Sequence, residues 1–174
     1  LADLAALDEG GPGIILKVKH AVFDKLVYGK LRDAMGGQMR WSVSGGAPLG
    51  SRLGHFFRGI DVTILEGYGL TETSAATTVN RPKALRIGSV GQPLPGAKVK
   101  VAADGELMLG GDQIFVGYWN NPAATAASLI ELGGKRFFRT GDLGYYDEDG
   151  YFFIVDRLKR MINASGYKVW PAEV

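Results

Sequence analysis

The chain has 174 residues, of which 46% are hydrophobic and 22% are charged, and its formal net charge is +2. These values fit a globular protein with its own core, exclude intrinsic disorder, and point to no nucleic-acid partner. The absence of cysteine excludes disulfides, thiolate zinc sites and a cysteine nucleophile, and the sequence shows neither a signal-peptide pattern nor an apolar run that would span a bilayer.

The first half of the chain alternates helices and strands. Residues 1–13 read as the end of a helix, and HAVFDKLVYGKLRDAMGG (20–37) has apolar residues at helical spacing. MRWSVSGG (39–46) predicts a short strand, and the next segment predicts a helix with Pro48 in its first turn. VTILEGYG (62–69) predicts a buried strand. This order predicts a β-α-β crossover and a mostly parallel sheet.

The second half reads as β-rich. The segment 89–111 has short alternating runs around an Asp104-Gly105 turn, which is a strong hairpin signal. DQIFVGYW (112–119) predicts another strand, and NPAATAASLIE (121–131) predicts a short helix that is capped by its first asparagine. FFRTGDLGYYDEDGYFFIVDRLKRMI (137–162) predicts two further strands. The fold class is therefore α/β, with a β-α-β layer followed by a β-rich subdomain.

The stretch ILEGYGLTETS (64–74) is the first candidate site. It has the start of the dinucleotide fingerprint, but Glu72 stands where that fingerprint has its third glycine. An acid beside phosphate needs a cation between them, so Glu72 fits a Mg²⁺ ligand, Thr71 and Thr73 fit phosphate contacts, and Tyr68 fits a base-stacking ring. The same residues also fit a polar turn whose threonine caps a helix.

Two further stretches have similar alternatives. In VSGGAPLG (43–50), Gly45 and Gly46 let a planar ring lie against bare backbone, or form a tight turn before a helix. Asp142 follows a glycine at the end of a strand and fits either a ribose acceptor or a turn aspartate. Arg157 fits a phosphate or ribose contact, or a solvated basic surface.

Five motifs follow one another along the chain: SGGAPL (44–49), EGYGLTETS (66–74), GELMLGG (105–111) with GYWNNPAAT (117–125), the segment 137–162, and SGYKVWPAEV (165–174). Their order is more specific than any one of them. Together these motifs resemble the adenylate-forming enzymes, which include acyl-CoA synthetases, aryl-CoA ligases, firefly luciferase and peptide-synthetase adenylation domains. The segment VKHAVFDKLVYGKLRDAMGG (18–37) resembles bacterial long-chain fatty acyl-CoA synthetases, while the tail is more similar to medium-chain and aryl-CoA ligases, so the acyl chain length stays open.

The resemblance implies a reaction in two steps. ATP and a fatty acid give an acyl-adenylate and pyrophosphate, and the thiol of coenzyme A then displaces AMP. ATP/AMP, Mg²⁺ and coenzyme A are the implied ligands, and the expected location is the cytoplasm, with peripheral membrane association left open. A ligase that loads a carrier protein and a non-catalytic nucleotide-binding module are the alternatives.

The resemblance also implies residue roles. Thr71 matches the phosphate-contacting threonine, Glu72 the magnesium ligand and Asp142 the ribose-binding aspartate. Asp156 matches the hinge of the small C-terminal lid domain, and Arg157 the ribose or phosphate contact beside it. The adenine pocket and the wall that it shares with the acyl pocket are matched by Gly45, Gly46, Ala47, Glu66, Gly67, Tyr68, Gly69 and Leu70.

The implied domain division places residues 1–155 in the large AMP-binding domain and 156–174 in the hinge and the start of the lid domain. The family's serine-, threonine- and glycine-rich ATP loop and its adenylation lysine have no match in the chain. We therefore expect that the chain is truncated at both ends and that it makes no acyl-adenylate by itself.

Overall fold

The structure is a computed structural model that describes residues 13–158 and the backbone of two short strands beyond them, β10 (Ile162–Ala164) and β11 (Tyr167–Val169). Residues 1–12, for which the sequence predicts a helix end, and Ser165 and Gly166 of the last motif lie outside the described residues. The chain divides into two compact units, Leu1–Gly67 with Asn80–Gly88 and Tyr68–Val79 with Ser89–Val174. Each unit is described by itself.

The first unit begins with the predicted amphipathic helix. Helix α1 (Ile14–Phe23) continues through one π-helical turn (Asp24–Tyr28) into α2 (Gly29–Ala34), so the helix starts earlier than the sequence pattern predicts. Its apolar stripe remains exposed, with Leu26 59% accessible. The Arg32 guanidinium donates to Asp24 of the same helix at 2.7 and 3.1 Å, and it links the helix to the Ile60 carbonyl at 3.2 Å.

The predicted strand–helix–strand order is confirmed in the same unit. Strand β1 (Trp41–Ser44) is followed by α3 (Ser51–Gly59) and by β2 (Thr63–Leu70), and β1 and β2 pair in parallel. The prediction that Pro48 lies in the first turn of the helix is wrong. Helix α3 begins at Ser51, because Gly50 before it has a φ of +80°, a left-handed conformation that only glycine adopts without strain.

The second unit is mostly antiparallel, which agrees with the hairpin predicted at Asp104-Gly105. Strand β3 (Ala75–Val79) pairs antiparallel with β4 (Gln92–Pro93), and an antiparallel sheet is formed by β5 (Lys98–Val101), β6 (Glu106–Gly110), β7 (Leu129–Leu132), β8 (Lys135–Tyr146) and β9 (Phe152–Arg157). Tight turns such as Asp104-Gly105 connect several of these strands, and such turns join only antiparallel neighbours.

Two other assignments differ from the sequence pattern. Residues 112–119 form an extended loop rather than a strand, and the loop's backbone turns at Gly111 (φ +131°) and Gly117 (φ +154°). Helix α4 (Pro122–Ser128) is capped as predicted, because the Asn121 side chain accepts the Ala124 N–H at 3.0 Å. Its predicted end is wrong, since residues 129–132 leave the helix and form β7.

The core of the second unit lies under the long strands. Leu109, Ile114 and Phe138 are nearly inaccessible, and Tyr68 and Leu70 from the end of β2 pack against them. Two residues of the candidate site are thus fixed by apolar packing on one side. Within the described residues, no helix is long and apolar enough to cross a bilayer.

Candidate nucleotide site

The predicted site residues fall into both units. Gly45, Gly46, Ala47, Glu66 and Gly67 belong to the first unit, and the residues from Tyr68 to Glu72 belong to the second, together with Asp142, Asp156 and Arg157. Within each unit the structure brings several of these residues into contact, and their predicted roles toward a ligand remain predictions.

In the first unit, Glu66 organises the loop that follows β1. Its carboxylate accepts the Leu49 N–H at 3.0 Å, and its carbonyl accepts the backbone N–H of Asn80 at 2.9 Å. A Cβ on Gly45 would lie 3.3 Å from the Gly67 carbonyl oxygen, so a larger residue would crowd β2. Gly46 and Ala47 are exposed beside this contact. A side chain at Gly45 would therefore require β2 to shift by a few tenths of an ångström, whatever else Gly45 contacts.

In the second unit, Tyr68, Asp142 and Arg157 form one hydrogen-bonded cluster. The Tyr68 hydroxyl donates to Oδ2 of Asp142 at 2.6 Å, and Nε of Arg157 donates to Oδ1 at 2.6 Å. The Asp142 side chain is 5% exposed, so this charge is buried but paired. Burial and, after it, the bond to Asp142 raise the pKa of Tyr68, and the bond to Asp142 raises the pKa of Arg157. Asp142 is thus neither a lone carboxylate nor a surface turn residue.

A break in the regularity of β8 explains how Asp142 is presented. Asp142 lies inside this strand rather than at its end, directly after Gly141, whose φ is +71°. The Gly141 N–H is bound by Oε1 of the buried Glu106 at 2.9 Å, and the Asp142 N–H is bound by the Thr140 hydroxyl at 3.0 Å. Such irregularities redirect a side chain, and they are common beside functional sites.

Glu72 lies on the 3₁₀ turn Thr71–Thr73 that follows β2. Its Oε1 accepts the hydroxyl of Tyr118 at 2.7 Å. Thr71 is exposed and is available to a ligand, but the expectation that Thr73 contacts phosphate is wrong. Thr73 is 1% exposed, and its hydroxyl bonds inside the turn with the Leu70 N–H at 2.9 Å and the Ala75 carbonyl at 2.8 Å.

Gly69 and Leu70 also have structural roles. Leu70 packs against the core, as described above. At Gly69 an added Cβ would lie 1.8 Å from the Ala75 carbonyl oxygen, so glycine is needed there because β2 approaches the chain that follows the turn. The second glycine of the apparent fingerprint is therefore explained by the protein's own backbone.

Glu72 and Arg157 line one open cleft of about 690 Å³, together with Tyr118, Arg139 and Thr140 among other residues. Asp142 does not line this cleft. A ligand that reaches its carboxylate would have to share it with, or displace, the Tyr68 hydroxyl and the Arg157 guanidinium. A carboxylate has about four lone-pair sites, so sharing is chemically feasible.

Asp156 lies in β9, opposite Leu143 of β8, and its side chain accepts the Arg157 N–H at 2.7 Å. Its hinge role and the domain boundary before it remain predictions.

Sequence reasoning missed Tyr118 and Glu106. Tyr118 bonds to Glu72 across 46 residues of chain, so no short motif contains both residues. The strand predicted over 112–119 also assigns this tyrosine to a sheet rather than to a loop beside Glu72. Glu106 lies in a correctly predicted hairpin strand, and only its burial at 3% exposure marks it as unusual for an acid. No local pattern carries either signal.

Comparisons with known proteins identify the family of the chain. The family model described as AMP-binding enzyme matches residues 14–119. The chain belongs to the AMP-binding enzymes. Over 168 residues it is 52% identical to a long-chain-fatty-acid–CoA ligase of Mycobacterium bovis, a match that covers 96% of this chain and 27% of the relative. The chain thus spans about a quarter of that relative's length.

Solved structures of AMP-binding enzymes share the fold. ATP-bound MatB from Rhodopseudomonas palustris aligns with a TM-score of 0.64 and 35% identity, covering 80% of this chain and 30% of that one. O-succinylbenzoate coenzyme A synthetase from Bacillus subtilis, in complex with ATP and magnesium ion, aligns with a TM-score of 0.62 and 27% identity, covering 83% and 34%. The mixed α/β architecture is that of the family.

Proposed function

We propose that this AMP-binding enzyme is a fatty-acid–CoA ligase, which joins a fatty acid to coenzyme A with the cleavage of ATP to AMP and pyrophosphate. The mycobacterial relative is a long-chain-fatty-acid–CoA ligase, which supports the long-chain class of substrate. The observation that carries the proposal is the cleft of the second unit, which is lined by both Glu72 and Arg157. Arg157 in turn is paired with Asp142. A carboxylate suits the hydroxyl groups of a ribose, and a second carboxylate suits Mg²⁺ beside phosphate.

Asp142 suits the ribose. A buried carboxylate that is already held by Tyr68 and Arg157 is fixed in orientation, and its remaining lone pairs accept hydrogen bonds from two neighbouring hydroxyl groups. Arg157 has a 52% exposed side chain, so it can leave Asp142 and turn toward ribose or phosphate. Tyr68 offers a ring whose hydroxyl is anchored, which restricts it to stacking contacts.

Glu72 suits Mg²⁺. Its Oε1 is bonded to Tyr118, and Oε2 has no protein donor within the described part of the chain. No group of three or more acidic or histidine side chains gathers among the described residues. Glu106 also lines the cleft, but its carboxylate is already paired with Arg139, whereas Glu72 keeps one oxygen for a metal. Mg²⁺ in nucleotide sites uses one or two carboxylates with phosphate oxygens and water, and a bound Mg²⁺ would neutralise charge on the phosphates. The exposed hydroxyl of Thr71, next to Glu72, can donate to a phosphate oxygen.

The chain's own residues then act mainly by position and charge. In the first step the fatty-acid carboxylate attacks the α-phosphorus of ATP and pyrophosphate leaves, while negative charge increases on the phosphate oxygens. Arg157 and Thr71 supply donors to that charge, which is the kind of stabilisation that dominates phosphoryl chemistry. In the second step the thiol of coenzyme A attacks the acyl carbon and AMP leaves.

The test measures fatty-acid-dependent pyrophosphate release and acyl-CoA formation by the full-length protein. Glu72→Gln removes the metal ligand's charge and should lower turnover by about 100-fold, a loss typical of a transition-state electrostatic contact. Asp142→Asn should raise the KM for ATP by about 10-fold, because hydrogen bonds to a charged group contribute about 1.5–3 kcal/mol.

Matched controls are available on the surface of the same unit. Glu131→Gln and Asp112→Asn change exposed acids outside the cleft and should leave both parameters at wild-type values. ATP binding without pyrophosphate release would favour a non-catalytic module. If CoA and a carrier-protein thiol are supplied together, acylation of the carrier alone would reassign the acceptor. Pyrophosphate release by the 174-residue chain alone would refute the expectation that it is inactive by itself.

A further inference from the structure

The turn that carries Glu72 has an unfavourable backbone. Ser74 and Ala75, which follow it directly, have φ values of +55° and +102°, although neither is glycine. Non-glycine residues hold such conformations only where the surrounding contacts compel them, at a cost of about 1–3 kcal/mol each. The position of Glu72 therefore depends on contacts from outside the turn.

Those contacts come from the loop 112–119, for which the sequence pattern predicts a strand. The Phe115 N–H donates to the Glu72 carbonyl at 2.8 Å, the Ser74 hydroxyl donates to the Gln113 carbonyl at 3.0 Å, and the Tyr118 hydroxyl donates to Oε1 of Glu72 at 2.7 Å. The first bond holds the backbone of Glu72, the second holds the Ser74 side chain, and the third holds the Glu72 carboxylate. Tyr118 is thus the loop residue that bonds to the carboxylate of Glu72.

Tyr118 is itself firmly placed. Its N–H donates to the Thr125 hydroxyl of α4 at 2.9 Å, and its ring packs edge-on against Phe115 at 4.8 Å between centroids. Phe115 packs in turn against the buried Phe138 at 5.6 Å. The hydroxyl group is therefore a fixed donor rather than the end of a mobile surface side chain.

We propose that Tyr118 is a positioning residue, which orients the Glu72 carboxylate so that one oxygen is held by the protein and the other is presented to Mg²⁺. The inference depends on the proposed role of Glu72 as the metal ligand. Carboxylates that bind metals are commonly hydrogen-bonded by a second protein group, and loss of that group costs about 10- to 100-fold in metal affinity or activity.

The experiment measures binding of Mn²⁺, as a spectroscopic substitute for Mg²⁺, to the full-length protein with a non-hydrolysable ATP analogue, by electron paramagnetic resonance. Tyr118→Phe keeps the ring and removes only the hydroxyl, and it should weaken Mn²⁺ binding by about 10-fold. The concentration of Mg²⁺ for half-maximal turnover should rise by the same factor, while the KM for fatty acid stays unchanged. Tyr145→Phe is the control, since Tyr145 is 52% exposed and stacks on Phe153 outside the cleft.

Thr125→Val provides a second variant that keeps the tyrosine hydroxyl but removes the acceptor of the Tyr118 N–H. It should weaken Mn²⁺ binding by less than Tyr118→Phe does.

Glu72→Gln separates the proposed metal role of Glu72 from the positioning role of Tyr118. If Glu72→Gln binds Mn²⁺ as the wild type does, the metal role of Glu72 fails, and the inference fails with it. If Glu72→Gln loses Mn²⁺ while Tyr118→Phe binds it normally, only the positioning role of Tyr118 is refuted.

Discussion

Replacing Gly69 by alanine tests how closely β2 approaches the chain that follows the Glu72 turn. The new Cβ would lie 1.8 Å from the Ala75 carbonyl oxygen, 2.6 Å from the Ala75 carbonyl carbon and 2.7 Å from the Ala76 Cα. All three are backbone atoms, which cannot rotate away as a side chain can. The chain around Ala75 must therefore move by about 1.2 Å before the closest contact reaches 3.0 Å.

This displacement sets the size of the expected effect. Inserting a methyl group into a packed site costs about 1–3 kcal/mol, and a backbone obstacle places Gly69→Ala at about 3 kcal/mol or more. In a cooperatively unfolding domain of 150–250 residues that loss corresponds to a decrease in Tm of about 6–12 °C. The turn that carries Glu72 lies between Gly69 and Ala75. A shift of its carboxylate by about 1 Å should lower turnover by about 100-fold.

The assay is thermal unfolding of the full-length protein together with fatty-acid-dependent pyrophosphate release. Two glycines offer graded controls. Gly45→Ala places its Cβ 3.3 Å from a carbonyl oxygen and should have a smaller effect, while Gly13→Ala meets no atom within 4 Å. Equal Tm values and rates for Gly69→Ala and Gly13→Ala would refute the close approach of β2 to Ala75.

Three further predictions concern other contacts of the second unit. In Glu106→Gln the NH₂ group of the new amide must face either Arg139 or the Gly141 N–H, and both of these are donors. The free energy of unfolding, measured in urea, should therefore fall by about 1–3 kcal/mol, and an unchanged value would contradict the pairing. Burial and the bond to Glu72 raise the pKa of Tyr118 from 10.0 to about 12, so its contribution to stability is complete below pH 10 and is lost as the pH rises to 12. Urea unfolding across that window should therefore show a smaller loss of stability in Tyr118→Phe than in the wild type, and equal losses would refute the shift. Asn121→Ala removes the N-terminal cap of α4 and should destabilise this helix by about 1 kcal/mol. Amide hydrogen exchange over residues 122–128 should become faster, and unchanged exchange would show that the cap contributes nothing to stability.

Local sequence patterns predicted those elements whose signals are local. The alternation around Asp104-Gly105 predicted the β5–β6 hairpin, and the Asn-Pro pair at 121–122 predicted the start of α4, because turn and cap chemistry act over a few residues. The loop 112–119 was mistaken for a strand. Its apolar residues Ile114 and Phe115 pack into the core, which gives the same composition as a strand without strand pairing.

The sequence by itself determined the family, because the order of several motifs is far more specific than each motif alone. The sequence also identified Glu72, Asp142 and Arg157 as candidate nucleotide-binding residues. Only the tertiary structure decided how these residues are held. Tyr68 meets Asp142 across 74 residues of chain, and Tyr118 meets Glu72 across 46. Hydrogen bonds over such intervals depend on which strands and loops pack together, and no local pattern of residue types records that packing.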